Sequence, residues 1–129
     1  MANIITSMIS FLNNDATVYG VFANRITADK IPDNQEYPHA RIWLVSSPYQ
    51  YNLLGEAGRV TRIQIDVYAD TQAEADEGID ALHSALSGYK GMMGSVDVGR
   101  CFVRNLFGSW NFEARNYHRM MEVEIGTND

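Results

Sequence analysis

The chain has 129 residues, 46% hydrophobic and 20% charged, which fits one soluble globular domain large enough to bury a core without staples. Its net charge of −6 excludes a protein that grips nucleic acid through the phosphates, because that affinity comes from Lys and Arg. One cysteine, Cys101, excludes an internal disulfide; with no basic signal-like start and no run of ~20 apolar residues, the expectation is a soluble intracellular product in a reducing compartment, with no membrane contact.

In chain order, Ile4, Ile5, Met8, Ile9 and Leu12 form a tight apolar stripe that predicts a helix over residues 3–13, with Asn3 able to cap it. Asn13, Asn14 and Asp15 end it with turn chemistry. Val18, Val21 and Phe22 suggest a short helical turn. Residues 24–38 are polar, carry two prolines and read as a long surface loop. Residues 39–47 read as a strand, with Ile42 and Leu44 on one side and Arg41, Trp43 and Val45 on the other. Residues 47–58 look like the arms and tip of a long hairpin. Its large groups Tyr49, Tyr51, Leu53 and Leu54 either extend the hairpin and pack on themselves or meet another subunit.

Residues 59–88 organise the rest. Thr61, Ile63, Ile65, Val67 and Ala69 alternate with Arg62, Gln64, Asp66, Tyr68 and Asp70, the pattern of a strand with one buried and one wet face. The period then changes. Thr71 with Glu74 makes a capping-box pattern, and Ala75, Ile79, Leu82 and Leu86 share one helical face. Gly88 stands where a helix C-terminus prefers it. Residues 88–95 form a glycine-rich connector; Lys90 precedes Gly91 and a strand follows, so this is no phosphate loop. A strand over residues 96–107 shifts phase near Gly99, as a bulge would cause. Trp110 and Phe112 fall in a turn-like stretch. The last strand, residues 117–127, points Met121, Val123 and Ile125 inward and Met120, Glu122 and Glu124 outward. The fold class expected is α+β, one domain over residues 1–129: a mainly antiparallel four-stranded sheet, two helices packed on one face and a long β-hairpin extension.

No catalytic, cofactor or metal site is legible. His39, His83 and His118 lack any metal-ligand spacing, with His83 expected as a half-buried packing residue. Cys101 sits within a strand with no base beside it. Glu74, Asp76, Glu77 and Asp80 form the solvated acidic start of a helix. Asp66 and Asp70 share a strand face with Arg62, which favours an ion-pair network or subunit contact over acid/base work. A small hydrolytic enzyme using Asp66, Asp70 and His118 remains the competing hypothesis, and it requires those groups to converge in a pocket.

Several pieces in this order resemble the small tail-completion, or tail-terminator, proteins of long-tailed bacteriophages. They are the first helix, Asn24-Arg25-Ile26, Ile31-Pro32, Tyr37-Pro38 opening a strand, Leu53-Leu54-Gly55, the strand and Thr-capped helix of residues 62–86, and Gly88. The pattern departs from the family at Thr27, where an aromatic often follows Arg-Ile, and in the aromatic-rich residues 107–112. The resemblance implies a non-enzymatic virion protein, made in the host cytoplasm. Such proteins form a ring, commonly sixfold, at the head-proximal end of the tail tube; they stop tube polymerisation and offer a docking face to the head-side connector. DNA passes through the lumen without specific binding. Tyr49, Tyr51, Leu53, Leu54, Trp110 and Phe112 would suit subunit contacts, and the acidic balance would suit a lumen that repels phosphate. Another head-tail joining protein is the alternative within the same class.

Overall fold

The alternation at residues 59–69 belongs to a longer strand that is the spine of the sheet. The computed structural model describes residues 4–28, 36–46, 49–52, 55–111 and 116–127. Along the chain come α1 (Ile4–Asn13), α2 (Ala16–Phe22), β1 (Ile26–Ala28), β2 (His39–Ser46), β3 (Tyr49–Asn52), β4 (Gly55–Ala69), α3 (Gln72–Leu86), β5 (Gly91–Met93), β6 (Val96–Asn111) and β7 (Asn116–Thr127). The sheet runs in the order β1-β2-β4-β7-β6-β5, and β3 pairs with the start of β4. β1 lies parallel to β2; every other pairing is antiparallel.

The four long strands β2, β4, β7 and β6 are the expected antiparallel sheet, and β3 with the start of β4 is the expected hairpin arm. The expectation of four strands and two helices needs correcting to seven strands and three helices among the described residues. The additions are short. β1 lies inside the segment expected to be a loop, and β5 inside the glycine-rich connector; three residues each give no readable period. α2 is the short helical turn expected at Val18, Val21 and Phe22, seven residues long, and Asp15, expected to mark a turn, is its N-cap: Oδ1 accepts from the amides of Thr17 at 3.0 Å and Val18 at 3.1 Å. β6 also continues through Asn111, so Trp110 is a strand residue rather than part of a turn. The bulge expected near Gly99 is present as a register shift between Val98 and Arg100.

One face of the sheet is covered by the helices. Ile42, Ile63, Ile65, Val67, Met121, Val123 and Ile125 are fully buried there with Met8, Leu12, Val18, Phe22, Leu82 and Leu86. The Thr71 hydroxyl accepts from the Glu74 amide at 3.1 Å and starts α3 as its sequence predicts. Gly78 lets α3 approach closely: a Cβ there would lie 2.9 Å from Phe22 Cζ and 3.1 Å from Val67 Cγ1. Asn3, the expected cap of α1, lies outside the described residues.

Candidate functional site

The face of the sheet away from the helices carries the chain's concentrated polar chemistry. Asp66 was expected on a wet face and is instead fully buried. Its Oδ2 accepts from Arg41 Nη2 at 2.9 Å and Trp43 Nε1 at 3.0 Å. Its Oδ1 accepts from Gln64 Nε2 at 3.1 Å and lies 2.7 Å from His118 Nε2. A carboxylate only accepts, so His118 carries its proton on Nε2 toward Asp66. The Tyr68 ring stacks on His118 with centroids 4.8 Å apart, and the Arg41 guanidinium lies 5.5 Å from the Trp43 ring.

Register explains the convergence. Arg41 pairs with Asp66 across β2 and β4, Trp43 with Gln64, and Tyr68 with His118 across β4 and β7. Three strands thus deliver donors to one acceptor. Burial alone would raise the Asp66 pKa, but the hydrogen bonds from His118, Arg41, Gln64 and Trp43 outweigh it and hold the carboxyl at about 2. The carboxylate stays ionised and fully engaged, which suits a strut tying three strands together rather than a proton carrier.

Further along the same face the acids of β7 meet arginines from its neighbours. Glu122 lies 3.9 Å from Arg62, and Glu124 lies 3.8 Å from Arg100 and 3.7 Å from Arg104. Glu122 and Glu124 thus point outward as expected and find arginines there. On the opposite face Arg119 donates from Nε to Asp76 of α3 at 2.9 Å and lies across Gly108, where a Cβ would meet its Nη1 at 2.6 Å.

The remaining titratable groups sit as follows. His39 is fully buried with Nε2 3.0 Å from Thr27 Oγ1. Burial first, then the positive charge of Arg25, lowers its pKa, so it is held neutral and its protonation below the ordinary value near 6.5 weakens the fold. His83 is exposed, not half-buried as expected: it stands on the solvent side of α3, past the edge of the apolar stripe. Cys101 is buried, and burial pushes its thiol up to about 11, which leaves it unreactive. Among the described residues no three His, Cys, Asp or Glu groups are placed to hold a metal ion, and no helix is long and apolar enough to cross a membrane.

The trio of the enzyme hypothesis does not converge on a pocket. Asp66 and His118 touch, Asp70 is exposed at the corner before α3, and the groove of about 640 Å³ between α2 and α3 is lined by none of the three. That groove has small walls, Ala16, Gly20, Ala73 and Ala81, with Asp76, Glu77 and Asp80 at its rim. Of the expected subunit contacts, Tyr49 and Tyr51 lie in β3 and Trp110 in β6. Their side chains, and Leu53, Leu54 and Phe112 entirely, lie outside the described residues. An ion-pair network was expected at Asp66 and is present, but Arg62 pairs with Glu122 instead; the partners Arg41 and His118 escaped the sequence reading because they come from β2 and β7, 25 and 52 residues away in the chain. The available signal was Arg41 and Trp43 at alternate positions of a strand, since two polar-headed large groups on one sheet face ask for a shared acceptor.

The chain is an α+β unit with its helices on one sheet face and its Asp66 cluster and ion pairs on the other. The model of the family described as tail completion protein gp17 matches residues 6–127, and the chain belongs to that family. It is therefore a structural protein of a bacteriophage-type virion tail. Among solved structures it is similar in fold to a chain in the virion of a native gene transfer agent particle, with a TM-score of 0.77 and 15% identity over 98% of this chain and 95% of that one. No curated protein matches by sequence.

Proposed function

We propose that the protein terminates the tail. In this reading, copies close into a ring on the head-proximal end of the tail tube, stop further tube addition and present the head-side connector with a docking face. The observation that carries it is the family match across residues 6–127. The chemistry is consistent with it. An ion-paired sheet face with its carboxylate locked in place supplies stiffness rather than turnover, and a net charge of −6 keeps passing phosphate from sticking. A single head-to-tail contact repeated by rotation is enough to close such a ring. The hairpin residues Tyr49, Tyr51, Leu53 and Leu54, with Trp110 and Phe112, remain the proposed apolar contacts to a neighbour or to the tube.

Native mass measured over a concentration series, alone and with tube protein, tests the ring. The expected result is a closed species near six copies with a central hole in negative stain. A strictly monomeric protein under both conditions contradicts it.

A further inference from the structure

Among the described residues six large apolar side chains are exposed: Tyr19, Leu44, Val45, Met92, Phe102 and Leu106. All but Tyr19 lie on strands at the margins of the sheet, Leu44 and Val45 on β2, Met92 on β5, Phe102 and Leu106 on β6. Among the described residues the backbone also lacks a second neighbour in the same places. β1 covers β2 only at residues 40–42, β5 covers β6 only at residues 96–98, and the Gly88 amide donates to the Cys101 carbonyl at 2.8 Å. Beyond these, no described strand pairs with β2 at residues 43–46 on the side away from β4, or with β6 at residues 102–111 on the side away from β7. A long bare edge flanked by apolar groups is a template for another strand, and proteins that stay monomeric blunt such edges.

The two margins complement each other. Following the register across the sheet, Ile42, Ile65, Met121 and Leu106 lie at one level, and Ala40, Val67, Arg119 and Gly108 at another. β1 therefore projects from one margin at the level where β6 has no described neighbour on the other. β2 and β6 run in opposite directions, so a neighbour's β1–β2 margin laid beside β6 continues the antiparallel alternation. Leu44 pairs with Ile63 and Leu106 with Met121, which puts both exposed leucines on the helix-covered face. Joining the margins extends that apolar layer from subunit to subunit.

We propose that β6 at residues 102–111 is the docking edge for the β1–β2 margin of a second copy of this chain. The inference rests on the ring reading above and names the surface that builds the ring. The contact is head-to-tail, because each copy keeps one unused margin of each kind until the circle closes.

Leu44→Lys and Leu106→Lys test it, since both positions are exposed and a charge there spoils the edge while the subunit stays folded. Each variant alone is expected to remain monomeric under conditions where the wild type forms rings. Mixed one to one, they retain a single intact junction between them and stop at a heterodimer. Rings that persist in both variants overturn the edge assignment and leave the ring reading standing. A mixture that stays monomeric overturns the head-to-tail pairing. A wild type that never assembles, alone or on tubes, overturns both. Hydrogen exchange on the wild type gives a second readout: β6 amides facing away from β7 should slow at least about tenfold on assembly, and unchanged rates contradict the proposal.

Discussion

The two faces of the sheet share the same four long strands and are held by different physics. On the covered face, Ile42, Ile63, Ile65, Val67, Met121, Val123 and Ile125 leave water against the helices, a gain that scales with apolar area and asks for little direction. On the other face Asp66 is equally buried, yet its place depends on four donors aimed at two oxygens. The covered face tolerates changes that keep volume. The Asp66 position does not, because removing the acceptor takes one hydrogen bond from each of four partly buried donors. Residue alternation therefore tells which face is apolar, but it does not tell which side chain of the polar face is buried.

Two substitutions of similar cost break that comparison most sharply. Asp66→Ala leaves Arg41, Trp43, Gln64 and His118 without their common acceptor and should cost about 3–5 kcal/mol. Ile65→Ala opens a cavity in the covered face and should cost about 2–5 kcal/mol. Denaturant titrations across pH tell them apart. Folding lowers the Asp66 pKa from 3.8 to about 2, so its contribution is full above about pH 4 and is lost as pH falls through 2. That shift corresponds to about 2 kcal/mol. Ile65→Ala should keep this acid step and Asp66→Ala should lose it; an unchanged step in Asp66→Ala would show that the carboxylate is not the source. A smaller effect sharpens the account of the covered face. Gly78→Ala improves helix propensity but drives a methyl against Phe22 and Val67, and a net loss of about 1 kcal/mol is expected in thermal melts. Smallest of all is Glu122→Gln, whose partner Arg62 is half exposed at 3.9 Å; stability should move by less than about 0.5 kcal/mol.

What the sequence made legible follows the same division. The alternation of Thr61, Ile63, Ile65, Val67 and Ala69, the Thr71 cap and the stripe of α3 are local patterns, and each stands in the structure as read. β7's inward Met121, Val123 and Ile125 and the bulge at Gly99 were legible for the same reason. β1 and β5 were not, because elements of three residues hold too few positions to show a period, whereas α2 showed as the short helical turn of Val18, Val21 and Phe22. The partners of Asp66 were hidden more deeply: they are a product of register among β2, β4 and β7, and register is set by the whole sheet. His83 was misplaced because one position on α3 separates the edge of the stripe from solvent. The margins of the sheet became visible only once strand order was known, since no local pattern says that β6 has no described neighbour on its outer side beyond Cys101.

The most direct measurement is the length distribution of tail tubes polymerised with and without the protein, imaged in negative stain. Tail termination predicts that stoichiometric protein added during growth stops elongation, leaving short tubes each closed at one end by a ring. Tubes of unchanged length with bare ends, from a folded protein at saturating concentration, would contradict it.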